Sequence, residues 1–194
     1  YPLRRQRQMC IRDRALAGVV IARYNGAEDD AQALQRLLLE QSHQHSVQLF
    51  QTWAGHYAGI LAHPDWQGLG LIQDTLITFG THAVDVPTLE RARSGAAGWC
   101  APEILRVYAL QLEDEHAVEA LLLEALGLAH QQGALAWELR CGESLAQLWQ
   151  QQGRIQLARD LLGSIHARFS EGFATQDLLR VRCLLDELQD KRPA

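Results

Sequence analysis

Apolar side chains recur at intervals of three and four residues along most of this chain. The clearest stripes are Val47, Phe50, Trp53, Tyr57 and Leu61; Leu69, Ile72, Leu76 and Phe79; Leu121, Ala125 and Leu128; Leu135, Leu139, Gly142, Leu145 and Trp149; Ile155, Ala158, Leu161 or Leu162, Ile165 and Phe169; and Leu178, Val181, Leu185 and Leu188. This spacing places one apolar face on each of a series of α-helices, and strand-forming β-branched residues are sparse. The pattern predicts an all-α fold.

Polar and glycine residues between the stripes mark the predicted helix ends. Asp65 and Asp114 suit helix N-caps, and Gly80, Gly133 and Gly153 suit helix ends. The connections are two to five residues long, so neighbouring helices must run antiparallel. Because no single hairpin can bury its own apolar face, we expect antiparallel helical hairpins stacked as a TPR-like α-solenoid.

Two consecutive segments, residues 101–134 and 135–169, match the TPR period of about 34 residues. Pro102-Glu103-Ile104 of the first aligns with Trp137-Glu138-Leu139 of the second. The stretch 81–98 is less regular, because Pro87 suits only the first turn of a helix and Gly95 and Gly98 suit the end of one. We interpret it as a joint inside one repeat domain, residues 15–190, which a short tail, 191–194, follows.

The first fourteen residues differ from the rest, with five arginines and no apolar periodicity. Their RRQRQMCIRDR string resembles translated sequencing-adapter DNA, so we expect residues 1–14 to be a non-native arm on a piece of a longer reading frame. Without them, 13 basic and 22 acidic side chains remain, a net charge of −9. A chain with this excess of acidic side chains offers no positively charged surface to a phosphate backbone, so no direct nucleic-acid partner is expected. The alternative is that the basic arm is a nucleic-acid-binding tail.

Compartment and redox state follow from what the chain lacks. There is no run of eighteen apolar residues and no secretory leader, so we expect no membrane contact and a cytoplasmic protein. Cys100, Cys141 and Cys183 are about forty residues apart, which fits neither a disulfide framework nor a zinc site. We expect them to be buried small hydrophobes.

No motif for catalysis, a cofactor or a metal is present. Lys191 is the only lysine and lies outside any glycine-rich phosphate loop, and the signatures of zinc proteases, serine hydrolases, dinucleotide binding and EF-hands are missing. His43 and His45 would point in different directions on a helix and have no third ligand nearby. We therefore predict no enzyme, no cofactor and solvated histidines at a helix end.

The candidate functional residues are aromatic or charged and lie on or beside the apolar stripes. They are Trp53, Tyr57, Trp99, Trp137, Glu138, Arg140 and Trp149. The aromatic rings suit core packing between helices, with a concave ligand groove as the alternative. Glu138 and Arg140 form either an interaction surface or an ordinary exposed ion pair.

The strings GWCAPEILR at 98–106 and QGALAWELR at 132–140 resemble the C-terminal TPR-like region of bacterial predicted ATPases. In that family a winged-helix or cyclase-like effector precedes a signal-transducing P-loop NTPase module, and helical repeats come last. Between about residues 70 and 98 the chain is shorter than the family by about one hairpin. The resemblance implies the sensor arm of an ATPase-linked transcriptional regulator, whose partner is a protein or the NTPase module of the same polypeptide.

Two functions therefore stay open. The first is a non-catalytic scaffold for protein interaction and signal relay, which predicts an open apolar or charged patch. The second is a small-molecule sensor, which predicts a pocket where several polar groups and aromatics converge. An all-helical enzyme would instead require a close trio of Glu, Asp and His.

Overall fold

The computed structural model describes residues 2–44, 51, 74, 77, 78 and 84–190. The chain consists of two compact units, residues 1–72 and 73–194. Within the described residues the regular structure is helical and contains no strand, so the predicted all-α class is confirmed. The stripes predicted between positions 47 and 79, with the caps Asp65 and Gly80 and with His45, lie almost entirely outside the described residues.

The first unit contains a pair of helices, α1 (Pro2–Tyr24) and α2 (Glu28–Gln44). The chain turns between them at Gly26, which has a positive φ of 69°. A side chain at Gly18 would bring its Cβ within 2.8 Å of Leu34 Cδ1, so glycine allows the two helices to approach closely. Helix α1 runs through the arginine-rich residues, whose origin in adapter DNA stays a prediction.

The first helix of the second unit with described bounds is α3 (Val86–Arg93), which lies inside the stretch predicted to be irregular. The Asp85 side chain caps this helix by accepting a hydrogen bond from the backbone N–H of Thr88 at 2.9 Å. Pro87 lies in the first turn, and Gly95 follows the helix with a φ of 81°. The predictions for Pro87 and Gly95 are confirmed, because proline and left-handed glycine each fit only one end of a helix.

Five further helices follow. They are α4 (Ala101–Ala109), entered through a 3-10 turn (Gly98–Cys100), then α5 (Glu115–Gln131), α6 (Leu135–Gln151), α7 (Ile155–His166) and α8 (Gln176–Asp190). Asp114 caps α5 through the N–H groups of His116 and Ala117, as predicted. The prediction of short connections is wrong for α7 and α8. Helix α7 ends before Phe169, and residues 167–175 separate the two helices.

These helices stack in series. Each of α4 to α7 packs on the next, and α6 also contacts both α4 and α8, so α6 lies between them. Leu105, Leu122, Leu145 and Leu162 are buried between the helices. A Cβ at Gly142 would come within 2.6 Å of Ile165 Cδ1, which explains a glycine where α6 meets α7. Helical stacking is thus confirmed.

The sequence predicts that the three cysteines after residue 14 are buried. Cys100 and Cys141 are buried as predicted, but Cys183 is exposed, because it lies on the face of α8 opposite the buried Val181 and Leu184.

Among the described residues no helix is both long enough and apolar enough to span a membrane.

Candidate functional site

A chain of alternating charges connects α4, α6 and α8. Its centre is Glu103 on α4, whose side chain is fully buried. Arg106 donates to both carboxylate oxygens of Glu103 at 2.8 Å, from Nε and Nη2. Arg140 on α6 donates from Nη1 to Glu103 Oε1 and from Nε to Asp177 Oδ2 on α8, both at 2.8 Å. One guanidinium therefore joins three helices.

The same pattern continues along α6 and α8. Arg180 on α8 donates from Nε to Glu143 Oε1 on α6 at 3.1 Å and also contacts Asp177. Arg106 Nη1 reaches Ser144 Oγ at 3.1 Å. We call the six ionised side chains, Glu103, Arg106, Arg140, Glu143, Asp177 and Arg180, the charged ladder. Its three carboxylates and three guanidiniums balance, and every member has a partner of opposite charge.

Neighbouring carboxylates keep the buried arginines of the ladder charged. Burial opposes the charge of Arg140, but Glu103 and Asp177 outweigh it and raise the pKa of Arg140 above its usual value. For Arg106, Glu103 likewise outweighs burial and raises the pKa. Burial also raises the pKa of the neighbouring Cys141 thiol, so that this group stays protonated. Arg140 therefore stays charged where it links α4, α6 and α8.

Two tryptophans stack beside the ladder. The rings of Trp99, in the 3-10 turn, and Trp137, on α6, lie 5.9 Å apart and are tilted by only 18°. The guanidinium carbon of Arg140 lies 5.4 Å from the Trp137 ring centroid. Trp137 is 8% exposed, whereas Trp99 is 49% exposed. The structure thus brings three of the predicted residues together, and one of them presents half of its surface to solvent.

The other predicted residues lie elsewhere. The Trp149 indole is buried and donates from Nε1 to Glu119 Oε1 at 2.7 Å, as a core residue would. The predicted alternative of an exposed Glu138–Arg140 ion pair is wrong, because the two side chains leave the helix in different directions and are both largely buried. Trp53 and Tyr57 lie outside the described residues.

Glu138 has its own partners. It is buried and pairs with Arg168, whose Nη2 lies 3.1 Å from Glu138 Oε1, while His130 Nδ1 lies 3.4 Å from Oε2. Burial alone would raise the pKa of Glu138, but the hydrogen bonds from Arg168 and His130 outweigh it and hold this pKa below its usual range.

A Glu138→Gln variant is expected to lose less stability in acid than the wild type. A depressed pKa stabilises the folded state above the ordinary Glu pKa of about 4.3, and this contribution disappears as the pH falls through the folded-state value. Urea unfolding between about pH 5 and pH 3 should therefore be less pH-dependent in the variant. Glu171→Gln, at an exposed position, is the control, and equal pH dependence of Glu138→Gln and the wild type would contradict the prediction.

The ladder was missed from the sequence, although a signal for it exists. Glu103, Arg140 and Asp177 follow one another at intervals of 37 residues, and so do Glu143 and Arg180. Charges of opposite sign thus recur at a constant spacing on alternate helices. The sequence comparison aligned Glu103 with Glu138 because the two residues are identical. In the structure, Glu103 pairs with Arg140 instead.

A half-open cleft of about 460 Å³ lies between the end of α3, the 3-10 turn and α5. Its lining residues are Ala92, Arg93, Gly95, Gly98, Ala101, Leu105, Leu123, Glu124, Gly127, Leu128, Gln131 and Gln132. Arg93 forms two hydrogen bonds to Glu124 at 2.8 and 3.0 Å, and Gln132 Nε2 donates to the Gly98 carbonyl at 3.1 Å. None of the described lining residues is aromatic.

In the described part of the chain, no three His, Cys, Asp or Glu side chains come together in a way that could hold a metal ion. Comparison with protein-family models, with curated proteins and with solved structures finds no match to this chain.

Proposed function

We propose that this chain is a non-catalytic, TPR-like scaffold for protein interaction and signal relay, with Trp99 as its contact point. The observation that carries the proposal is the exposure of Trp99, which is 49% accessible although it stacks on the buried Trp137. Tryptophan is enriched among the few residues that supply most of the binding energy at protein interfaces. A ring that is already held in one orientation loses little further freedom on binding.

The charged ladder supports a repeat scaffold. Its oppositely charged members pair at a constant separation of 37 residues across α4, α6 and α8, as expected when alternate helices stack in a regular way. Ion pairs that bridge three helices fix their spacing, so that a contact at Trp99 is made by a preorganised surface. This combination favours binding over catalysis as the task of the second unit.

The partner follows from the family resemblance. We place this chain in the cytoplasm as the C-terminal sensor arm of an ATPase-linked transcriptional regulator, in contact with a protein or with the NTPase module of the same polypeptide. Contact at Trp99 would then shift the balance between the on and off states of the effector, because a bound partner stabilises the state to which it binds better.

The alternative function is a small-molecule sensor. The volume of the cleft near α5, about 460 Å³, is within the usual range for ligand pockets. Against this function, its described lining contains no aromatic ring, and Arg93 and Glu124 pair with each other. A ligand would have to separate this pair or leave it unused.

Replacing Trp99 by Ala is expected to weaken partner binding by about 30-fold or more, the usual loss at a tryptophan hot spot. Long-read sequencing across the source locus would recover the upstream frame, and calorimetry would measure binding of its NTPase module to the full chain.

Phe173→Ala is the matched control, because Phe173 is also half-exposed but lies between α7 and α8. An upstream frame without a P-loop module, or equal losses in both variants, would refute the proposal.

A further inference from the structure

The turn that carries Trp99 is held only loosely by its own backbone. It joins α3 to α4 over residues 94–100, and Gly98, directly before Trp99, has a positive φ of 57°. The hydrogen bond from the Cys100 N–H to the Ala97 carbonyl is 3.3 Å long, beyond the usual range for N–H···O contacts. Contacts from elsewhere in the chain therefore have to fix the direction of the Trp99 ring.

Gln132 holds the peptide group directly before Trp99. This residue follows α5, and its side-chain Nε2 donates to the Gly98 carbonyl oxygen at 3.1 Å. The same oxygen accepts the backbone N–H of Ala101, where the 3-10 turn leads into α4. The Gly98 carbonyl and the Trp99 N–H belong to one planar peptide group, so a hydrogen bond that fixes the carbonyl also fixes the start of Trp99.

The ring of Trp99 is held from the same helical hairpin. Trp137, on which this ring stacks, lies in the first turn of α6. Between Gln132 and Trp137 the chain turns from α5 into α6 at Gly133, which has a φ of 63°. One corner of the fold thus holds Trp99 at two points, because Gln132 fixes its peptide group and Trp137 supports its indole.

A second contact from α5 reaches the other end of the turn. Arg93, the last residue of α3, pairs with Glu124 at 2.8 Å, and the two side chains are 51% and 42% exposed. Ion pairs as exposed as this one contribute little and are screened by salt. Because the pair is also separated from Trp99 by most of the turn, it does not direct the ring as Gln132 does.

We propose that Gln132 is a positioning residue for Trp99. Its hydrogen bond to the Gly98 carbonyl holds the exposed ring in the orientation in which a partner meets it. Without this bond the turn can rotate about Gly98, whose left-handed conformation is not sterically enforced, and the ring leaves Trp137 for part of the time. The inference rests on the proposed function of Trp99 as a contact point, but the orientation of the ring is a property of the free chain.

Fluorine NMR of the full chain labelled with 5-fluorotryptophan measures this orientation without any partner. The signal of Trp99 is the one that disappears in Trp99→Phe. We expect Gln132→Ala to move this signal towards that of free 5-fluorotryptophan and to increase its difference between H2O and D2O, because the ring becomes more exposed. Circular dichroism should show an unchanged helix content, since Gln132 itself is exposed.

Two variants make this measurement specific. Gln131→Ala is the matched control, because it makes the same change at the preceding exposed position, and it should leave the Trp99 signal in place. Gln132→Glu keeps the shape of the side chain but removes the donor, so it should move the signal at least as far as Gln132→Ala does. A Trp99 signal that stays in place in Gln132→Ala or Gln132→Glu, or that moves equally in Gln131→Ala, would overturn the proposal.

Calorimetry with the NTPase module of the upstream frame separates this inference from the proposed function. Gln132→Ala should weaken binding by about threefold to tenfold, the range of one ordinary hydrogen bond, and Gln131→Ala should not. If the Trp99 signal moves as expected but Trp99→Ala binds the module normally, the proposed function fails and the positioning role of Gln132 stands. If Trp99→Ala binds poorly while Gln132→Ala binds normally, Gln132 does not position the contact and the inference fails alone.

Discussion

Replacing Glu103 by Gln is expected to lower the free energy of unfolding by about 3–5 kcal/mol, as is usual when one partner of a buried ion pair is removed. The Glu103 side chain is fully buried and accepts hydrogen bonds from Arg106 and Arg140. Without its charge, two poorly hydrated guanidiniums would face each other. Urea unfolding followed by circular dichroism measures the loss, which is a large part of the usual stability of a domain.

Two variants control this experiment. Glu171→Gln makes the same chemical change at an exposed position and should alter stability by less than about 0.5 kcal/mol. The triple variant Glu103→Leu, Arg106→Met, Arg140→Met removes Glu103 together with both of its charged partners and should recover most of the lost stability, since apolar replacement of buried ion pairs is often neutral. A Glu103→Gln variant as stable as Glu171→Gln would show that the ladder does not stabilise the fold.

The helices of the second unit were predictable because their signals are local. Asp114 caps α5, and Pro87 lies in the first turn of α3. Gly133 and Gly153 take the positive φ angles expected after α5 and α6. Each of these effects depends on only a few neighbouring residues. The long connection before α8 was not predicted, because Phe169 continues the apolar spacing although the helix has already ended at His166.

The charged ladder was not predicted because its pairs form between helices. Residues 37 positions apart meet only after the helices stack, and no local pattern reports which faces are opposed. The paired positions carry opposite charges, as in Glu103 and Arg140, so a comparison that matches identical residues does not find them. The predicted ion pair between Glu138 and Arg140 does not form, because residues two positions apart point in different directions on a helix.

The aromatic residues show where a periodic pattern stops being informative. Trp137 and Trp149 belong to α6 and are buried, as the apolar stripe predicts. Trp99 also lies beside an apolar stripe in the sequence, but it is in a 3-10 turn, before α4 begins. Its ring therefore follows the geometry of the turn and rests on Trp137 instead of entering the core.

Replacing Trp137 by Ala is expected to lower the free energy of unfolding by about 3–5 kcal/mol, the usual cost of removing a buried tryptophan. Trp99→Ala should cost less than about half as much, because half of that ring already contacts water. Urea unfolding of both variants gives the comparison. Equal losses would mean that the two rings form ordinary core.

The same pair of rings links stability to binding. Trp137→Phe keeps a flat ring under Trp99 and should preserve partner affinity, whereas Trp137→Ala removes the support and should weaken binding about as much as Trp99→Ala does. Calorimetry under conditions where every variant is folded separates the two effects, because circular dichroism verifies the fold independently. If Trp137→Ala binds normally while folded, Trp99 acts without its stacking partner, and preorganisation of the ring is not the source of its contribution.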